Sequence, residues 1–214
     1  MKREKEIRKI LSEWFGILFT SDKVQEKEHS PAERSYTVLN LVIMFFVFSM
    51  AGWIWEVVLG AVKDGVIANR GVLYGPWLPI YGRGAVLILV LLKKFRSRPI
   101  AEFFAIMILC GSMEYFISWY LEIIHDGQRW WDYTGYFLNL NGRICAAGLL
   151  LFGAVGMAVV YAAAPRLDDL LKKIRPAVLL SIAVILVTIY VGDQICSTVN
   201  PNTGNGITYC TENS

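Results

Sequence analysis

Glu56, Arg83 and Glu114 each lie inside a long apolar stretch of this sequence, and Ser118 and Glu122 follow Glu114 at helical spacing. An ionisable side chain in such a stretch turns toward protein and takes a partner, because lipid offers it none. One arginine and two glutamates at similar depth therefore predict a pairing. It would either line a polar cavity or form an ion pair that only fixes how the helices sit. A second set of polar and aromatic residues borders the apolar stretches: Asn69, Arg70, Tyr74, Tyr81, Arg129, Trp130, Trp131, Asp132, Asn141 and Arg143. Arg70, Arg129 and Arg143 suit an anionic ligand. Trp130 and Trp131 beside Asp132 suit a cation or a lipid headgroup, and serve equally well as interfacial anchors.

Other chemistries find no motif. No phosphate loop of the G-x-x-x-x-G-K-[ST] type occurs, which argues against ATP hydrolysis by that route. His29 and His125 are the only histidines, so neither a zinc-type cluster nor a Ser-His-Asp set is expected. No metal or cofactor is expected, and the chain reads more readily as a binding protein than as an enzyme. The net charge of +3 is too small to point to nucleic acid.

The elements that must position these residues are membrane helices. Of 214 residues, 55% are hydrophobic and only 18% charged, with a mean hydropathy of +0.46. A soluble domain carries about 25% charged residues. Apolar runs predict an all-α, polytopic bundle of about five transmembrane helices. The spans fall near 38–62, at 84–92 with a broken start, and near 101–124, 143–164 and 177–195. The second is short: nine residues of helix reach roughly 14 Å, about half the hydrocarbon core. Pro76, Pro79 and the glycines of 71–83 argue against continuous helix there, so a broken or re-entrant segment is predicted before this span. Glycines and alanines of the fourth span, among them Gly148, Gly153 and Gly156, would let neighbouring helices approach closely.

Ser30-Pro31-Ala32-Glu33 has the chemistry of a helix start before the first span. Residues 3–19 repeat Ile7, Ile10, Leu11, Trp14, Phe15, Leu18 and Phe19 at spacings of three and four behind a cluster of lysines and arginines. That pattern predicts an amphipathic helix lying on the membrane surface. The organisation expected is a cytoplasmic segment over 1–30, a transmembrane bundle over 31–195 and an extracytoplasmic tail over 196–214. The first 35 residues lack the apolar core of a cleavable signal peptide.

Basic residues set the orientation. With the N-terminus in the cytoplasm, only Lys63, Arg70, Arg83, Arg129 and Arg143 of the 21 lysines and arginines fall on the outside. An odd number of spans then puts the C-terminus outside, where oxidation is permitted. Cys196 and Cys210 flank a turn-rich stretch there and predict a disulfide, worth roughly 3 kcal/mol by loop closure. Cys110 and Cys145 lie in spans as small packing residues.

Over roughly residues 40 to 160 the sequence resembles a bacterial family of ABC-transporter type IV, permease-like, multi-pass membrane proteins. The resemblance is carried by Gly52-Trp53-Ile54-Trp55-Glu56, Asn69 through Pro76, Pro79-Ile80-Tyr81-Gly82, Glu114-Tyr115, Arg129 through Tyr133 and Asn139 through Arg143. It implies a multi-pass membrane protein of permease type, without a defined substrate or catalytic residues. Three functions stay open. The first is a permease or ligand-binding subunit with a polar site in the outer half of the membrane. The second is an enzyme acting on a lipid or lipid-linked substrate, with Glu56 or Glu114 as acid or base. The third is an assembly subunit of a membrane complex. Five spans are few for a solo transporter, so the expected partners are membrane lipids and a second copy or another membrane subunit. The resemblance adds an ATPase as a further candidate.

Overall fold

The computed structural model describes residues 34–65, 67–202 and 208–209. The expected surface helix over 3–19, the helix start at Ser30–Glu33 and Cys210 lie outside the described residues. Helix α1 (Val38–Asp64) opens at Thr37, whose hydroxyl accepts the Asn40 amide at 3.2 Å, and closes at Gly65 in the left-handed conformation. The first crossing is thus capped at Thr37, because residues 34–37 are not helical.

Residues 67–78 follow without regular structure and lead into α2 (Pro79–Leu91). Pro79 stands in the first turn, where its missing N–H removes no helix bond. Thirteen residues give α2 about 20 Å, two thirds of the hydrocarbon thickness. The broken segment before the second span is therefore present, and α2 starts five residues earlier than the clean apolar run. A short 3-10 turn (Lys93–Phe95) leads to α3 (Pro99–Ile124). Next come a loop with the two-residue strand β1 (Gln128–Arg129) and helix α4 (Ala146–Ala158). A π turn at Val159–Ala163 joins α4 to α5 (Ala164–Leu171), so Ala146–Leu171 forms one rod of 26 residues. This fourth crossing runs seven residues beyond the expected end, through Pro165. A proline inside a helix clashes with the carbonyl four residues earlier, and the wider π turn makes room for it. Helix α6 (Pro176–Val199) is the last crossing, and β2 (Thr208–Tyr209) pairs antiparallel with β1.

The chain is an all-α membrane bundle. Four of its crossings are long and apolar enough to span a bilayer, and the shorter α2 runs with them. The outward faces remain apolar, with Ile54, Val58, Phe104, Ile108, Val184 and Ile185 exposed. Lipid is the solvent for such side chains, and packing between helices then depends on close approach. Gly82 sits where a Cβ would meet the Ser49 hydroxyl and the Phe45 carbonyl. In the fourth crossing, a Cβ at Gly153 or Gly156 would strike Phe103 or Ile106 of α3.

Met44, Ile88, Leu89, Ile106, Cys110, Val160 and Ala164 form the central core. Leu39 and Ile43 of α1 pack on Leu171, Leu179 and Ala183. One end of the bundle holds Arg34, Lys93, Lys94, Arg96, Arg98, Lys172, Lys173 and Arg175, and is called the basic end below. The other holds the 67–78 segment and the 125–145 loop, and is called the loop end.

Candidate functional site

Glu56 on α1 accepts a hydrogen bond from the Tyr81 hydroxyl of α2 at 2.5 Å. Glu114 on α3 accepts one from the Tyr133 hydroxyl, which the loop after α3 supplies, at 3.2 Å. The two carboxylates lie within electrostatic reach of each other. Among the described residues neither carboxylate has a lysine or arginine partner. Glu114 is buried, and its second carboxylate oxygen has no hydrogen-bond partner. Burial, and then the Glu114 carboxylate, raise the Tyr133 phenol above its ordinary range, which keeps it a neutral donor. Gly52 lets the site close: a Cβ there would run into the Tyr81 ring.

Arg83 stands apart from this group. It is exposed and bonds the Tyr190 hydroxyl of α6 at 3.3 Å, so the expected pairing with Glu56 and Glu114 does not form. Helix geometry explains the correction. Two residues advance a helix by about 200°, so when Tyr81 faces Glu56, Arg83 faces nearly the opposite way.

The arginines of the 125–145 loop converge instead on Glu122, in the last turn of α3. Arg129 pairs with it at 3.0 Å, and Arg143 bonds its other oxygen. Arg129 also lies 3.9 Å from Asp132. Burial alone would raise the Asp132 carboxyl. The Thr134 hydroxyl at 2.6 Å, the Thr134 amide at 2.8 Å and the Arg129 charge outweigh it and hold Asp132 below its ordinary range. Asn141 donates to the Tyr115 hydroxyl at 2.8 Å, and the Trp131 indole donates to the Arg143 carbonyl at 3.1 Å. Asn141 and Gly142 both have positive φ, as a type I′ turn requires, and this explains the Asn-Gly pair at that point. Two sides of the expected anion cradle are therefore engaged by one glutamate, and Arg70 lies elsewhere, against Gly60.

The 67–78 segment is held from three directions. The Asn69 side chain accepts the Trp53 indole N–H at 2.6 Å and donates to the Tyr74 carbonyl at 2.9 Å. Asn202 donates to the carbonyls of Asn69 at 3.2 Å and Gly71 at 2.9 Å, and its own carbonyl accepts the Trp130 indole at 3.4 Å. Asp193 of α6 accepts from the Tyr74 amide, the Gly75 amide and the Trp77 indole, at 3.0, 2.9 and 2.7 Å. Irregular backbone is tolerated in a membrane protein only when its polar groups are met this way. Cys196, one helical turn beyond, is exposed and is bridged to no other described cysteine.

A protein-family profile described as "Putative ABC-transporter type IV" matches residues 43–198. The chain belongs to that family. No curated protein and no solved structure matches it. The matched range contains Glu56, Tyr81, Glu114 and Tyr133 together with the Glu122 cluster and Asp193, while Asn202 lies just past it.

Sequence reasoning brought Glu56, Tyr81 and Glu114 forward and missed Asp193, Asn202, Glu102 and Asp168. Glu102 and Asp168 are fully buried. Glu102 falls in the first turn of the expected third span and Asp168 just past the expected end of the fourth, each close to a run of basic residues. Asp193 sits two turns from the end of an apolar helix, and that isolated acid was the available signal.

Proposed function

We propose that this chain is a permease-type membrane subunit whose Glu56–Tyr81–Glu114–Tyr133 group binds a cationic ligand in the outer half of the bilayer. The single observation that carries the reading is two carboxylates within electrostatic reach of each other, with phenol hydroxyls as their only hydrogen-bond partners among the described residues. Such a pair relieves its mutual repulsion by taking a cation or a proton. No group of three metal-ligating side chains occurs among the described residues. Aromatic rings beside carboxylates suit an ammonium-type cation. The carboxylate pair favours this ligand over the anion suggested by the arginines, since Arg129 and Arg143 already pair with Glu122.

Sidedness follows from the basic end, which belongs in the cytoplasm by the distribution of lysine and arginine. The N-terminus is then cytoplasmic and the loop end faces out. Membership of the family supports partners within a membrane complex. The small number of crossings favours a second copy or a partner membrane subunit, with an ATPase supplying energy that this chain has no phosphate loop to provide.

Thermal unfolding of the purified protein in mild detergent tests the site, using tetramethylammonium chloride against sodium chloride at matched ionic strength. A ligand present at a hundred times its Kd stabilises by about 2.7 kcal/mol. The wild type should gain stability with one of these cations. Glu56→Gln and Glu114→Gln should lose that gain, and Glu122→Gln should keep it. Equal responses from all four proteins would sink the assignment.

A further inference from the structure

At the basic end, where α1 begins and α2 ends, a groove of about 170 Å³ opens between the two helices. Its apolar wall is Leu41, Leu89 and Val90, and its mouth carries Arg34, Ser35, Tyr36 and Lys93. The Lys93 ammonium donates to the Ser35 hydroxyl, which ties the end of α2 to the residues before α1. Val38, Val90 and Leu91 beside it are exposed apolar side chains, so the groove borders lipid.

The charges at the mouth do not cancel. Arg34 is committed to α5: its guanidinium donates to the Pro165 carbonyl at 2.5 Å and to Asp169 at 2.8 Å, with Asp168 at 3.9 Å. Lys93 has no such partner, since among the described residues no carboxylate lies within ion-pair distance of it. An ammonium bears three hydrogens and Ser35 takes one. The Ser35 oxygen accepts that bond, which leaves its own hydrogen to donate elsewhere. Arg96 adds charge from over the Tyr36 ring, 5.7 Å from its centroid. The first turn of α1 holds no acidic side chain to oppose an anion. The mouth therefore presents hydrogen-bond donors and positive charge above an apolar wall.

We propose that this groove binds an anionic phospholipid, with the headgroup phosphate on Lys93, Ser35 and Tyr36 and an acyl chain along Leu41, Leu89 and Val90. A free anion would use the donors and leave the apolar wall bare, whereas a phospholipid uses both. The groove lies where two crossings end, which is the depth of the headgroups. On the orientation proposed above this is the cytoplasmic leaflet, where anionic lipids occupy basic pockets between membrane helices. A lipid held there bridges α1 and α2 at the end opposite their acidic site. Leu41 and Glu56 stand roughly 22 Å apart along α1, and the inference does not depend on the ligand proposed for Glu56 and Glu114.

Native mass spectrometry of the purified full-length protein in mild detergent reads this binding without a transport assay. The first added phosphatidylglycerol should bind more tightly than phosphatidylcholine with the same acyl chains. Lys93→Gln should weaken it by about tenfold or more, as for the loss of a charge-assisted hydrogen bond. Lys94→Gln, which removes an exposed charge outside the groove, should cost no more than about fivefold. Lys93→Arg should keep the lipid. Ser35→Asp, which sets a carboxylate against the ammonium at an exposed position, should abolish the preference and covers a failure of Lys93→Gln to fold. Inorganic phosphate at the same concentration should leave the lipid in place. Displacement by phosphate would overturn the proposal in favour of a free-anion site. Equal affinity for the two lipids, as expected of a groove filled by something else, would also overturn it, as would equal losses in the two glutamine variants.

Discussion

Asp193 accepts the Tyr74 and Gly75 amides, the Trp77 indole and, at 3.1 Å, the Ser197 hydroxyl. Buried donors left without an acceptor cost about 1–3 kcal/mol each. The Tyr74 amide is exposed and the Gly75 and Trp77 donors are only partly buried, so Asp193→Ala should destabilise the protein by about 1–3 kcal/mol, with Trp77 fluorescence reporting early loss of the 67–78 segment. An unchanged melting profile would show that water replaces the carboxylate there. The contrast with Arg83 is instructive. Both are charged residues in apolar helices, and sequence alone ranked Arg83 higher because two glutamates lay at similar depth. Depth is readable from counting residues, but facing is not. Tyr81, two positions before Arg83, takes the direction toward Glu56 and leaves Arg83 beside Tyr190. Glu114 was legible because an acid in the middle of a span has few alternatives to a functional or pairing role.

Among the elements, the crossings were legible from apolar run length, since hydrocarbon thickness fixes how many residues a helix needs. Their ends were less so. Helix α1 begins at Thr37 because a single hydroxyl meets the Asn40 amide. The fourth crossing passes through Pro165 because a π turn absorbs it, and neither event has a strong sequence signal. The broken start of α2 was readable from its prolines and glycines. What holds it was not, because Asn69, Asp193 and Asn202 come from distant parts of the chain. Close packing of α1 on α2 depends on Gly82, where an added methyl would meet the Phe45 backbone carbonyl. Gly82→Ala should cost about 1–3 kcal/mol of stability by overpacking. Gly192→Ala on α6 should be neutral or slightly stabilising, because nothing lies within 4 Å of its added carbon. Denaturation in detergent compares the two, and equal effects would mean that α1 and α2 separate without strain.

For the whole molecule, the bundle divides its acids by end. At the basic end Asp168 is paired with cations and Glu102 is bonded to Tyr161, while at the loop end Glu56 and Glu114 each accept from a tyrosine and have no cationic partner among the described residues. The sidedness of this arrangement is open to a direct chemical check. In intact cells treated with mild reductant, a membrane-impermeant maleimide should label exposed Cys196 and leave buried Cys110 and Cys145 unmodified. Labelling that requires the reductant would support the expected bridge to Cys210, and labelling only after permeabilisation would reverse the orientation.

The acidic site itself is tested most directly by native mass spectrometry of the protein released from mild detergent. The wild type should carry a small cationic adduct, or take up added tetramethylammonium at a defined stoichiometry. Glu56→Gln and Glu114→Gln should lose the adduct while Glu122→Gln retains it. A wild type that carries and takes up no cation, or an adduct indifferent to both substitutions, would contradict a cation site between α1, α2 and α3.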